Sequence, residues 1–331
     1  MTDRAWSGHE FLTLSDDALA ALGIGTSEIV AAIENALRAQ AGGQLHSPPK
    51  AALTVPDRRY YMTTLGTADA PPLTVVKSVM VSPRNPARGL GGVEGAIFVQ
   101  DSETGLLQAV MGAGWITAAR TAGLSSVAAM RLANPRSQIA AFVGCGVQAR
   151  SHLTAFAELF PLREIRAVGR GQANIDRLCG QARGLGLAAR ACTAQEALEG
   201  ADLVVTSIPL DHETPPFLEA GWLKPGAFAA ITDLGIPWHD AGMQAFGTLV
   251  IDDLEQEAAT HPKLVDPALV TTDLGGLVTG ARPAAYDPDT RAAFVFRGMA
   301  VGDYAASALA LERARAAGMG TRVPMPPATG L

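Results

Sequence analysis

FVGCGVQAR, residues 142–150, places two glycines one residue apart at the end of an apolar run, with a small alanine three residues further on. The run before it, residues 138–143, is short, apolar and preceded by a Pro-containing turn. The segment after it carries apolar residues at Ala149, Leu153, Phe156 and Phe160. Strand, glycine turn and helix therefore follow in order. In such a unit Gly144 permits the tight turn, Gly146 lets an anion approach the main chain, and Ala149 lets helix and strand pack closely. The helix N-terminus, with Val147 and Gln148 in its first turn, offers unpaired N–H donors. The stretch has the G-x-G-x-x-A form of a turn that binds the pyrophosphate of a dinucleotide.

Glycine turns end many strands, so the neighbourhood decides. Strand candidates recur at residues 164–168, 187–192, 203–207, 228–232 and 249–251, with a helix at 173–183, which is the alternation of an α/β fold with a Rossmann-type parallel sheet. At the end of the second of these strands an acidic residue would bind a ribose 2′-hydroxyl. The chain reads Ala167-Val-Gly-Arg-Gly-Gln172 there, with Arg170 in that place. A cation favours the 2′-phosphate of NADPH over NADH or NAD, although arginine after a strand is also common as a solvated loop cation.

Composition bounds the function. The chain has 331 residues, 48% of them hydrophobic, enough for one large or two ordinary domains. A formal charge of −6 without a basic stripe argues against nucleic acid as a partner, and no apolar run is long enough to span a bilayer. The start, Met1-Thr-Asp-Arg-Ala-Trp6, lacks the layout of a secretion signal, so a cytoplasmic location is expected. Cys145, Cys179 and Cys192 are odd in number and lack C-x-x-C spacing. The histidines, at 9, 46, 152, 212, 239 and 261, fall at no ligand spacing, so no bound metal is expected.

The part before the glycine turn reads as a smaller α+β domain. Ser15 can cap a short helix and Thr26 or Ser27 a longer amphipathic one, and β-like runs follow at 50–55, 60–65, 73–81, 95–100 and 107–112. In residues 73–81, LTVVKSVMV, alternation puts Lys77 on the face of Leu73, Val75, Val79 and Val81, the more apolar of the two. Arg120 repeats the pattern on a helix, sharing a face with Ile116, Leu124 and Val127. Two inward cations suit a receptor for a small carboxylate. The alternatives are a lysine that snorkels to water and an arginine paired with one of the chain's own acids.

Lys77, then NPARGLGGVEGAIFVQDSETGLLQAV, TAARTAGLSSVAAMRLA and FVGCGVQA resemble the ornithine cyclodeaminase/mu-crystallin family in order and spacing. ADLVVTS at 201–207, DLGGLVTG at 273–280 and FVFRGMAVGDYAASALALERA at 294–314 extend the resemblance over nearly the whole chain. It implies a homodimer of two domains. Residues 116–294 would form the Rossmann domain, and residues 1–115 with 295–331 a substrate and dimerisation domain. The family's members include cyclodeaminases that use NAD, NAD(P)H-dependent reductases of cyclic ketimines, alanine dehydrogenases and opine-type enzymes. The positions matched by Lys77 and Arg120 bind the substrate around its carboxylate and imine, facing the nicotinamide. Thr206, Ser207 and Arg297 would lie on the cofactor side, and Asp303 by the substrate; a turn cap for Thr206 and Ser207, and a helix cap or ion pair for Asp303, are the plainer readings.

Two departures bear on the reaction. Where the family usually has an arginine after a proline, as a further carboxylate clamp, Pro48-Pro49 is followed by Lys50. Where cyclodeaminases carry a catalytic aspartate, the chain reads ITDLGIPW, with Asp233 shifted by one position. The expectation is therefore reduction of a small imino acid, with its carboxylate fixed by Lys77, Arg120 and Lys50, and with Asp233 or water protonating the new amine. Cyclodeamination of ornithine with tightly held NAD, and NADPH-dependent binding of a small ligand without turnover, are the alternatives.

Overall fold

The computed structural model describes residues 9–82 and 84–325. The chain begins with β1 (His9–Leu14), the short α1 (Asp16–Ala20) and α2 (Thr26–Ala41). There follow β2 (Leu45–His46), β3 (Ala51–Thr54), β4 (Tyr60–Asp69), β5 (Pro72–Val81), β6 (Val93–Asp101) and β7 (Leu107–Gly112). Next come α3 (Ala113–Leu132), β8 (Ile139–Val143), α4 (Val147–Leu159), β9 (Glu164–Val168), α5 (Gln172–Gly184), β10 (Ala188–Ala191), α6 (Ala194–Leu198), β11 (Leu203–Thr206) and β12 (Phe228–Ile231). The last part comprises β13 (Thr248–Ile251), α7 (Leu254–Ala259), β14 (Thr272–Asp273), α8 (Leu274–Thr279), β15 (Ala292–Val295), α9 (Ala300–Ala317) and β16 (Thr321–Met325).

These strands form two sheets. The first runs β16-β1-β7-β6-β5-β4-β2, with β3 also on β4; its pairings are antiparallel except β1 with β7. The second runs β10-β9-β8-β11-β12-β15-β13-β14 and is parallel throughout. Its strands are apolar along their length because helices cover both faces: every residue of β11, β12 and β15 is buried. Strand order reverses at β8, between β9 and β11, and in open α/β sheets ligands bind in the crevice at the carboxyl ends beside such a reversal.

The chain's end returns to the first sheet. α9 packs on β4 and β5 as well as on α2 and α3, so it is enclosed on nearly all sides and is built largely of alanine, which lets four neighbours approach. α3 packs on α2 and α9 but also on α4, β12 and β15, and so joins the two sheets. One expectation changes here. The helix at 26–41 is capped at Gly25, whose N–H donates to Glu28 at 3.1 Å, rather than at Thr26 or Ser27. β15 enters the parallel sheet between β12 and β13. Residues 321–325 pair with β1; residues 326–331, like those at 1–8, lie outside the described residues. Ser15 does cap its helix, accepting the N–H of Ala18 at 3.2 Å.

Candidate active site

The glycine turn separates two reasons for having glycine. Gly144 has φ +92°, and a Cβ there would lie 2.4 Å from the Ser207 carbonyl oxygen, so the fold itself requires the residue. Gly146 has φ −81°, and among the described residues nothing lies within 4 Å of where its Cβ would be. Packing does not demand glycine there, and the bare backbone leaves room for a ligand to approach closely. Around this opening, Gln148 Oε1 and Ser207 Oγ are buried without a hydrogen-bond partner among the described residues, while Val147 turns its apolar side chain outward. Ala149 is fully buried against the sheet. Arg170 is exposed just beyond β9 and makes no ion pair among the described residues. A helix N-terminus, open glycine, orphaned polar groups and a free guanidinium together fit a dinucleotide.

The inward cations meet on Asp303. Lys77 Nζ donates to Asp303 Oδ1 at 2.7 Å, Arg120 Nε lies 3.1 Å from the same oxygen, and Thr64 Oγ1 donates to Oδ2 at 2.8 Å. All four residues are buried, Lys77 to within 1% of full enclosure. β5 supplies Lys77, β4 supplies Thr64 directly opposite it, α3 supplies Arg120, and the first turn of α9 supplies Asp303. Burial pushes the Lys77 ammonium down to about 8, with Arg120 adding to the effect and Asp303 opposing it. Burial alone would raise Asp303, but the charges of Lys77 and Arg120 and the hydrogen bonds of Lys77 and Thr64 hold its carboxyl below the usual range.

Arg120 is close to Asp303 without being hydrogen-bonded to it. Its Nε and Nη1 are buried and have no hydrogen-bond partner among the described residues, because the 3.1 Å approach is poorly aligned. Gly298, with φ +94°, makes room for the guanidinium: a Cβ there would stand 3.0 Å from Nη1. Two cations thus share one carboxylate. One positive charge and two N–H groups are left over in a low-dielectric site, an arrangement with the chemistry to accept a small anion.

A second group lies beside the first. Lys50 Nζ donates to the Arg297 carbonyl at 2.6 Å, and the Arg297 N–H donates to Asp252 Oδ2 at 3.2 Å. Asp252 Oδ2 also accepts from Gly298 N–H at 2.9 Å and Gln256 Nε2 at 3.3 Å, and Gln256 Oε1 accepts the Lys50 N–H at 3.1 Å. The Arg297 guanidinium is held by Glu257 at 2.8 Å and by the Pro262 carbonyl. Burial lowers Lys50 to about 8 against the pull of Asp252, and burial raises Asp252 to about 6 against the pull of Lys50.

The fold thus brings Lys77, Arg120 and Asp303 together, with Lys50 adjacent. Asp233 keeps other company: its oxygens accept from Thr206 Oγ1 at 2.9 Å and Ile208 N–H at 3.0 Å, which fixes the loop after β11. The Thr206 hydroxyl is thereby engaged, whereas that of Ser207 is not. Reading the sequence alone missed Thr64, Asp252 and Gln256. The available signals were Thr64 across the β4–β5 ladder from Lys77, and the carboxylate of Asp252 at the end of a parallel strand.

The chain is similar along most of its length to known proteins. The rat ketimine reductase mu-crystallin is 33% identical over 224 residues, 66% of this chain and 69% of its own length. An archaeal alanine dehydrogenase dimer with bound NAD superposes with a TM-score of 0.85 at 26% identity, covering 95% of this chain and 99% of its own. Thermococcus litoralis Δ1-pyrroline-2-carboxylate reductase, solved with NADH and L-proline, also gives 0.85 over 95% of this chain and 100% of its own; at 24% identity it speaks for the fold. The model of the ornithine cyclodeaminase/mu-crystallin family matches residues 22–318, and the chain belongs to that family.

Proposed function

We propose that the chain is an NADPH-dependent reductase of a small 2-imino acid, such as Δ1-pyrroline-2-carboxylate or Δ1-piperideine-2-carboxylate. The observation that carries this reading is the pairing of two buried cations, Lys77 and Arg120, with the single carboxylate of Asp303. A substrate carboxylate completes the charge balance, and the free N–H groups of Arg120 grip it. Fixed in this way, the imine carbon is held toward the crevice beside β8 and β11, and burial excludes water from it. When bound there, the nicotinamide supplies the hydride. The likeness to a ketimine reductase supports this reaction. Against cyclodeamination, Asp233 is engaged through both oxygens by Thr206 and Ile208.

Arg170 supports NADPH over NADH, since it stands exposed and unpaired among the described residues at the ribose end of the crevice. A homodimer belongs to the same proposal. Leu65, Val76, Phe98 and Val110 lie side by side across β4, β5, β6 and β7 on the face opposite α9, with Leu65 and Phe98 exposed, and a second copy of the chain would cover this row. A cytoplasmic location fits these cofactors; no helix among the described residues is long and apolar enough to cross a membrane. The reading is tested by following nicotinamide oxidation with both cyclic imino acids, with NADPH and NADH in parallel, alongside ammonia release from ornithine. Ammonia release without imine reduction would overturn it.

A further inference from the structure

Lys50 stands where its relatives' resemblance leads one to expect arginine, and the difference is chemical: a lysine can lose a proton near neutral pH and an arginine cannot. The structure surrounds this lysine with an apparatus that an anion clamp does not need. The Arg297–Gly298 peptide is gripped from both sides, its carbonyl by Lys50 and its N–H by Asp252, which also accepts the Arg297 N–H. Gln256 ties the Lys50 backbone to the same carboxylate. Asp252 Oδ1 is buried with no hydrogen-bond partner among the described residues, although its sister oxygen takes three N–H donors. A carboxylate held so firmly with one oxygen unpaired serves as a fixed charge.

We propose that Asp252 is a positioning residue for the reaction: through the Arg297–Gly298 peptide and Gln256 it fixes the Lys50 ammonium, and it supplies the countercharge to the proton that Lys50 delivers to the imine nitrogen. This rests on the reductase reading. In the step, an N–H bond of Lys50 breaks and an N–H bond forms on the substrate nitrogen, while the hydride from the bound nicotinamide goes to the adjacent carbon. Lys50, left neutral, takes its next proton from solvent. Of the charged groups that face Lys50, Asp252 and Asp303 hold its proton on, whereas Arg120, Arg297 and Lys77 push it off; burial is the largest effect and favours release. Asp253, beside Asp252, is the other acid acting on that carboxylate.

The chain has four lysines, Lys50, Lys77, Lys224 and Lys263, so nitrogen-15 labelling of lysine in the full-length protein gives four side-chain signals, assignable by single substitutions. In Asp252→Asn, whose amide oxygen can still accept from Arg297 and Gly298, the titration midpoint of Lys50 should fall by about one pH unit. Asp252→Glu should restore it and serves if the asparagine variant does not fold. With imino acid as substrate, the alkaline limb of kcat/KM should move down by the same interval. Lys50→Arg should lose kcat at least about tenfold while KM changes little, as expected when proton transfer is removed but charge is kept. An unmoved Lys50 midpoint in Asp252→Asn overturns the role of Asp252 whatever the activity. Failure of the wild type to reduce any imino acid overturns the reductase reading instead and leaves the titration result standing.

Discussion

Lys77 Nζ and Asp303 Oδ1 lie 2.7 Å apart with both side chains closed off from water, and Arg120 leans on the same oxygen. The pair is therefore ionised and yet under strain from burial, which brings Lys77 down to about 8 from its ordinary 10.5. The consequence for stability has a definite sign. Between about pH 8 and 10.5 the unfolded chain keeps a proton on Lys77 that the folded chain has released, so this group makes stability rise as pH rises through that window. Denaturant unfolding of wild type and Lys77→Met across that range should show the wild type gaining on the variant with pH. A constant difference would contradict the buried, desolvated placement of Lys77.

The two glycines of the dinucleotide turn should behave differently. Gly144→Ala forces a Cβ against the Ser207 carbonyl at a φ that side chains rarely adopt, and should cost about 1–3 kcal/mol of stability. Gly146→Ala meets open space, so its melting temperature should stay close to wild type while its affinity for the dinucleotide drops. Thermal melts and cofactor fluorescence titration, run on both variants, check this. Equal loss of stability in the two would remove the distinction.

Arg170→Ala should weaken NADPH and leave NADH unchanged. Loss of one charge-assisted contact to a phosphate is worth roughly 1.5–3 kcal/mol, hence about 10- to 100-fold in KM for NADPH. Steady-state kinetics with the two cofactors measure it, and parallel changes in both would return Arg170 to the status of a solvated loop cation.

Phe98→Asp on the open face of the first sheet should convert a dimer to a monomer, because a charge at the centre of the Leu65–Val76–Phe98–Val110 row cannot be buried unpaired. Light scattering on wild type and variant decides, and a monomeric wild type would exclude the dimer.

Much of this was legible before any coordinates. The parallel sheet announced itself through short apolar runs around the glycine turn, and Lys77 and Arg120 through cations at apolar registers, since periods of 2 and 3.6 fix which face a side chain takes. Asp303 could be suspected but not paired: it lies 226 residues from Lys77 in sequence, a distance that periodicity does not cross. Asp252 and Gln256 were invisible for a related reason. Their work is done on the Arg297–Gly298 backbone and on Lys50, two chain segments that only tertiary structure brings to them. The insertion of β15 into the parallel sheet was equally hidden, because a four-residue apolar run carries no record of its neighbours.

The most direct measurement compares wild type with Arg120→Ala in NADPH oxidation driven by Δ1-pyrroline-2-carboxylate, with binding of NADPH checked separately. If Arg120 and Lys77 hold the substrate carboxylate, wild type turns over, the variant loses kcat/KM by about 100-fold or more, and NADPH binding is unaffected. Turnover undiminished in the variant, or none in wild type beside ammonia release from ornithine, would contradict the account.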